Sequence, residues 1–160
     1  MPRQARQLPP SAMLHIIARG NNQMRVFETR HDFQRFCKIL YRFTHDQDFY
    51  LQHYVLMNTH LHLLAWVEDT SKLAGWLKSV FVSYQHYFSK KYQYNGHLWH
   101  RRYRSLLIES EEYFLQCARY IELNPVHAGI CKRPQHHRWS SYHYHSFGER
   151  DPLIQLVIKH

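Results

Sequence analysis

Apolar residues along the chain follow two different spacings, which together predict a domain that mixes strands and helices. Residues 13–20 form a short β-type run that ends in the Gly-Asn-Asn turn of residues 20–22. Residues 49–57 and 60–67 are rich in strand formers, and only Asn58-Thr59 separates them, so we expect a hairpin. We expect a further extended segment over residues 97–108.

Three other segments place their apolar residues at helical spacing. The first covers residues 29–44, the second covers residues 72–91 after a Ser71 N-cap, and the third runs from Ser110 to Leu123, before Asn124-Pro125. This order of elements predicts an α+β fold, with a ferredoxin-like antiparallel sheet and helices packed on one face. No linker divides the chain, so we expect a tail over 1–10, one domain over 11–146 and a C-terminal extension over 147–160.

The charge balance then narrows the class of partner. Lysine and arginine total 21 against 12 aspartates and glutamates, a net charge of +9 with neutral histidine, which favours nucleic acid. The N-terminus lacks the apolar core of a signal peptide, and no apolar run is long enough to span a bilayer. Cys37, Cys117 and Cys131 form no C-x-x-C pair, which argues against a disulfide framework or a cysteine zinc site and favours a reducing cytoplasm.

Two histidines in the second strand of the hairpin are the first candidates for chemistry. His60 and His62 lie two apart in an extended segment, so their side chains leave the same face of the strand. Two neutral imidazoles on one face make half of a divalent-metal site. The chain has 15 histidines, however, so this spacing also arises by chance. Other closely spaced histidines are interpreted as surface or DNA-facing residues: His136, His137, His143 and His145.

The end of the last predicted helix supplies complementary groups. Tyr120 and Asn124 are four residues apart and therefore share a helix face. An asparagine carbonyl oxygen suits Mg²⁺ or Mn²⁺, and a tyrosine phenol is a possible nucleophile at phosphorus. Taken singly, Tyr120 is better explained as part of an aromatic core, and Asn124 as a helix terminator before Pro125.

Several ordered motifs resemble the single-tyrosine transposases of the His-hydrophobic-His (HUH) superfamily. Within that group they are similar to the REP-associated tyrosine transposases of bacteria, a branch of the IS200-like transposase family. The resemblance covers about residues 11–145 and rests on residues 19–22 (RGNN), 54–64 (YVLMNTHLHLL), 96–104 (GHLWHRRYR), 119–129 (RYIELNPVHAG) and 139–142 (WSSY).

This resemblance implies a metal-dependent enzyme that nicks and rejoins single-stranded DNA beside a REP-like hairpin. His60, His62 and Asn124 take the positions of the ligands of a divalent metal, Mg²⁺ or Mn²⁺, and Tyr120 takes that of the nucleophile. The reaction leaves a 5′-phosphotyrosine on the protein and a free 3′-OH on the DNA, and the reverse attack rejoins strands without ATP. The resemblance also implies a bacterial, nucleoid-associated location and a monomer or homodimer.

Some positions depart from the pattern of this family. Asn58-Thr59 precedes His60 where relatives usually have Pro-Asn, and Glu122 stands where relatives often have His or Tyr. We expect Glu122 to face solvent. The chain also ends soon after residues 139–142, as expected for a short or truncated member.

Alternating cations and aromatic residues mark a candidate path for a single strand. Arginines would meet phosphates while aromatic rings stack on bases; the candidates are Trp99, Arg101, Arg102, Tyr103 and Arg104. Arg19 adds a phosphate contact near the first strand, and Lys78, Lys90 and Lys91 are candidates for holding a hairpin stem. The competing interpretation is a solvated basic face.

Two other functions stay open on the sequence alone. One is a domesticated, non-cleaving protein that binds hairpin DNA or RNA, although pure binding does not require His60, His62, Tyr120 and Asn124 together. The other is a zinc-dependent hydrolase, against which the absence of a clear third histidine or of a general-base glutamate speaks.

Overall fold

The computed structural model describes residues 7–156. The strands are β1 (Ala12–Arg19), β2 (Phe49–Leu56), β3 (His60–Val67) and β4 (Arg104–Ile108), and the helices are α1 (Arg30–Thr44), α2 (Leu73–Tyr92), α3 (Glu111–His127) and α4 (Tyr142–Phe147). Within the described range, no helix has the length and apolar character needed to cross a membrane.

The four strands form one sheet in the order β2-β3-β1-β4. Every neighbouring pair is antiparallel. With α1 and α2 as the two connections, this is the split β-α-β-β-α-β topology of the ferredoxin-like fold, so the predicted fold class is confirmed. Because β1 and β3 occupy the centre, the histidine-bearing strand is paired along its whole length.

The sheet is covered on both faces. Leu14 and Ile16 of β1 belong with Leu61 and Leu63 of β3 to the core under α1 and α2. The alternate residue Leu64 faces a second cluster that includes buried side chains of α3. The predicted placement of helices on one face therefore holds for α1 and α2, whereas α3 packs on the opposite face. Strand alternation puts His60 and His62 on this α3 side, opposite Leu61 and Leu63.

Helix α3 continues beyond its predicted end. Pro125 lies inside the helix, which runs to His127, so the prediction that Asn124-Pro125 terminates it is wrong. Proline in a helix interior removes one backbone hydrogen bond, but Ile121, Asn124 and Pro125 are buried against the domain, and this packing outweighs the local penalty. As a result, Asn124 is held in helical geometry on the same face as Tyr120.

Two further local predictions are corrected. Ser71 does not cap α2 directly; it lies in a short 3-10 turn whose cap is Asp69, which accepts a hydrogen bond from the Ser71 N–H. The extended segment over 97–108 is a strand only from Arg104 onward, and Arg101 has a left-handed backbone with φ of 56°. The backbone therefore turns at Arg101, and the arginine cluster does not lie along one straight strand.

Residues assigned to the C-terminal extension pack back on the domain. Leu153 is buried in the main core, and the Gln155 N–H donates to the Leu51 carbonyl at 2.9 Å. Part of that extension thus contributes to the fold. Residues 1–6 and 157–160, the remainder of the predicted tail and extension, lie outside the described range.

Candidate active site

The two histidines of β3 lie at the start of the strand, on the side of the sheet that faces α3. Their ring centroids are 5.2 Å apart and the rings stand edge to face at 86°. His62 is only 2% exposed, whereas His60 is half-buried and lies at the rim. The pair therefore presents one sheltered and one accessible imidazole.

Helix α3 brings the other two predicted residues to this pair within the same chain. The Tyr120 ring lies 5.7 Å from the His62 ring, centroid to centroid, at 89°. Asn124 is 8% exposed, and its side chain lies close enough to His60 to act on the pKa of that histidine. Tyr120 itself is 48% exposed, so its ring contacts His62 and is also accessible from solvent. Tertiary packing thus joins residues that lie about 60 positions apart.

Burial keeps the histidines uncharged at neutral pH. It lowers the pKa of His62 to about 3, with the neighbouring His15 and His60 rings and the Arg19 charge acting in the same direction. Burial and the Arg19 charge also lower the pKa of His60, against the opposing effect of the Asn124 amide. Since neutral imidazole is the form that binds metal, two imidazole nitrogens and one amide oxygen fit a divalent cation.

A third histidine, absent from the sequence-based site, supports His62 from β1. The His15 Nε2 lies 2.9 Å from the His62 Nδ1, and the two rings stack at 5.1 Å. With the His62 Nδ1–H donating to His15, the His62 Nε2 is unprotonated, which is the usual arrangement behind a metal-binding histidine. The only sequence signal for this role is a histidine inside an otherwise apolar strand.

Thr59 plays a comparable part at His60. Its Oγ1 lies 3.0 Å from the His60 Nδ1, which leaves Nε2 as the remaining ring nitrogen. The departure at Asn58-Thr59 therefore changes the hydrogen bonding of His60 as well as the turn.

A cleft opens beside His60. It has a volume of about 300 Å³, and its walls include Arg19, Gly20, Thr59, His60 and His100. Arg19 pairs with His60 across β1 and β3, which places it at the rim of the site, and its predicted phosphate contact stays a prediction. His100 was not singled out by the sequence; it reaches the cleft because its N–H donates to the Arg19 carbonyl at 2.7 Å.

The family model described as "Transposase IS200 like" matches residues 10–124. The chain belongs to this family. The match includes all four predicted site residues, and it confirms the family that the ordered motifs indicated. No curated protein sequence matches this transposase significantly.

Two solved structures have a similar fold. One is described as a REP-associated tyrosine transposase bound to a REP hairpin; it superposes with a TM-score of 0.75 at 15% identity over 100% of this chain and 94% of that one. The other is a candidate transposase from Deinococcus radiodurans, with a TM-score of 0.51 at 18% identity over 75% of this chain and 95% of that one. At these identities the likeness shows the fold.

The predicted DNA-binding residues of the transposase fall into two groups. Arg101, Arg102 and Arg104 are exposed and stay candidates for phosphate contacts. Trp99 is half-buried; its ring packs on Phe81 and its Nε1–H donates to the Phe81 carbonyl at 3.2 Å. Trp99 thus has a packing role, and base stacking at Trp99 and Tyr103 stays a prediction.

Lys91 has a structural partner in the transposase. Its Nζ lies 2.7 Å from a carboxylate oxygen of Asp32, a residue with no exposed surface. Tyr87 and Tyr92 donate to the same carboxylate. Lys91 therefore ties α2 to α1, and a role in holding a hairpin stem is not supported for it.

Two interpretations of polar residues near the C-terminus are corrected. Glu122 does not face solvent: its side chain is 12% exposed and accepts hydrogen bonds from His53 and Ser141. His137 is buried rather than DNA-facing, with its Nε2 2.8 Å from the Leu56 carbonyl. In both cases the chain after α3 folds back across β2, a long-range event that local sequence does not reveal.

Proposed function

We propose that this transposase nicks and rejoins single-stranded DNA through Tyr120, with a divalent cation held by His60, His62 and Asn124. The observation that carries the proposal is the convergence of these four residues in one chain, with the Tyr120 ring 5.7 Å from the His62 ring. A structural role alone does not require a half-exposed tyrosine beside two neutral histidines and a buried asparagine.

Tyr120 is the nucleophile in this proposal. Its phenolic oxygen loses its proton and attacks the scissile phosphorus, the new O–P bond forms as the P–O3′ bond breaks, and the departing 3′ oxygen takes up one proton, so the step is balanced. The products are a 5′-phosphotyrosine on the chain and a free 3′-OH on the DNA. Because the phosphoester is kept, attack by a 3′-OH reverses the step and rejoins the strands without ATP.

The remaining residues hold and orient the reacting groups. When bound, Mg²⁺ or Mn²⁺ would supply positive charge that offsets the charge developing on the phosphate. His15 and Thr59 fix the imidazoles through the hydrogen bonds at Nδ1. Arg19 places a further positive charge at the rim, where it would bind a phosphate of the substrate.

The substrate in this proposal is a single strand beside a hairpin. The structural relative with the same fold is described as bound to a REP hairpin, and the exposed Arg101, Arg102 and Arg104 offer phosphate contacts near the Arg19 cleft. Since Tyr120 reaches the histidines of its own chain, one chain contains the complete set of residues, whether it acts as a monomer or in a homodimer.

Replacement of Tyr120 tests the nucleophile. Wild-type protein with Mn²⁺ and labelled single-stranded hairpin DNA should give a covalent adduct that survives denaturing electrophoresis, and Tyr120→Phe should give none. Tyr113→Phe is the matched control, because Tyr113 lies on the same helix and is 46% exposed. An adduct that persists in Tyr120→Phe, or that is lost equally in Tyr113→Phe, would contradict the assignment.

The same assay separates cleavage from binding. If wild-type protein binds the hairpin tightly but forms no adduct with Mg²⁺ or Mn²⁺, the chain is a non-cleaving hairpin-binding protein. If His62→Ala retains hairpin affinity but loses the adduct, the histidines serve the chemical step, as proposed.

A further inference from the structure

A second cluster of metal-binding side chains lies on the α3 side of the sheet, away from Tyr120. His53 of β2, Glu122 of α3 and His145 of α4 each offer one ligand atom, and these atoms all lie within 4.8 Å of one another. His53 pairs with Leu64 across the sheet, whereas His62 pairs with Val55. Glu122 follows Tyr120 by two residues and therefore leaves α3 in a different direction.

An existing hydrogen bond holds the carboxylate and the first imidazole side by side, and a cation bound at His53 Nδ1 would take the place of the proton in that bond. The Nδ1 of His53 lies 2.8 Å from Glu122 Oε1, and Ser141 Oγ donates to the same oxygen at 2.8 Å. Both contacts end on Oε1, so neither engages Oε2. The contacts from His53 and Ser141 are those that a carboxylate accepts, and a carboxylate is the form of glutamate that binds cations.

The second imidazole is oriented from its far side. His145 Nε2 lies 2.7 Å from the Gln52 carbonyl oxygen, and a carbonyl only accepts, so this nitrogen carries the proton. The neutral ring then has an unprotonated Nδ1. A carbonyl behind the protonated nitrogen is the arrangement that typically supports a metal-binding histidine.

We infer that His53, Glu122 and His145 form a second metal site that binds a Zn²⁺-type divalent cation and links β2, α3 and α4. Two imidazoles and one carboxylate are a common zinc donor set, with water in the fourth position. Zinc bonds of about 2.0–2.1 Å require ligand atoms roughly 3.4 Å apart, so the cluster must close slightly. His145 is the exposed member and its ring stacks on that of His53 at 4.0 Å, so the movement would fall on the His145 side chain, which would leave this stacked position.

The consequence of this site concerns the position of α3. A cation there would bridge three elements that are distant in sequence. His53 and Glu122 are 69 residues apart, and Glu122 and His145 are 23 residues apart. It would hold the helix that carries Tyr120 without touching the reacting atoms. The inference is independent of the proposed nicking reaction, since it depends on metal binding alone.

Zinc binding by the full-length chain tests the inference. The His60→Ala variant weakens the predicted catalytic site and leaves the second cluster intact. We expect it to bind one Zn²⁺ per chain by calorimetry, to give the visible absorption bands of tetrahedral Co²⁺, and to melt at a higher temperature with Zn²⁺ present.

Adding His145→Ala should lower the Zn²⁺ affinity at least tenfold and abolish the tetrahedral Co²⁺ bands. His143→Ala, also added to His60→Ala, is the matched control, because His143 lies on the same helix and contacts Phe147 and the His137 carbonyl instead. The Zn²⁺ affinity of this control should stay within twofold of that of His60→Ala. His53→Gln provides a second variant from another element, with the same expected loss. Absence of Zn²⁺ binding in His60→Ala, or binding unchanged by both His145→Ala and His53→Gln, would overturn the inference.

Discussion

Removal of the His15 side chain should weaken the metal site without touching a ligand. His15 is 6% exposed and its Nε2 lies 2.9 Å from the His62 Nδ1. In His15→Leu the buried Nδ1–H of His62 would lose its hydrogen-bond acceptor. Leaving a buried donor without a partner costs about 1–3 kcal/mol of free energy. That range corresponds to about 5–150-fold in equilibrium, which brackets the roughly 10–100-fold effect usually seen when a partner behind a metal ligand is removed. We therefore expect Mn²⁺ affinity to fall by about one to two orders of magnitude.

Calorimetric Mn²⁺ titration and adduct formation on hairpin DNA measure this effect together. His15→Gln retains an amide oxygen as acceptor and should recover most of the affinity, whereas His15→Leu should not. Circular dichroism and thermal melting establish that both variants are folded. A folded His15→Leu protein with wild-type Mn²⁺ affinity and wild-type adduct formation would refute the role assigned to His15.

Three other predictions concern stability and DNA binding. Asp32→Asn should lower the free energy of unfolding at pH 7 by about 3 kcal/mol in urea, because it leaves the Lys91 contact without its carboxylate. Burial alone would raise the pKa of Asp32, but its hydrogen bonds, first that of Lys91, hold it well below its ordinary value. The difference in the free energy of unfolding between wild type and Asp32→Asn should therefore be complete above about pH 4 and should shrink as the pH falls from there. Gly20→Ala should cost about 1–3 kcal/mol, measured by thermal melting, since its Cβ would lie 2.4 Å from the Met24 carbonyl oxygen. Arg19→Gln should weaken binding of a single strand and reduce the slope of log affinity against log salt by about 0.7.

Each of these has an outcome that contradicts it. An Asp32→Asn variant whose deficit is the same at pH 7 and at pH 3 would show that the carboxylate charge is not what stabilises the helix pair. If Gly20→Ala melted at the same temperature as wild type, the turn after β1 would have relaxed to accept the added Cβ without cost. A salt slope unchanged in Arg19→Gln would remove Arg19 from the phosphate contacts.

Local sequence determined most of the secondary structure. The helical spacing of apolar residues located α1 and α2, and the strand formers on either side of Asn58-Thr59 located the β2–β3 hairpin. Alternation within a strand also fixed that His60 and His62 share a face, because side chains in a strand point to opposite sides with a period of two residues. The family motifs indicated Tyr120 and Asn124 by their order along the chain.

Tertiary structure decided the rest, because the deciding contacts join distant residues. Pro125 stays helical through the burial of its face of α3, which the local preference of proline opposes. Only the packing of α3 on the sheet places Tyr120 beside His62, and only the β1–β3 register brings His15 to the back of His62. The fold-back of the C-terminal segment across β2 buries Glu122 and stacks His145 on His53. The sequence determined which groups are present on each element, and the packing of α3 and the C-terminal segment determined which of them meet.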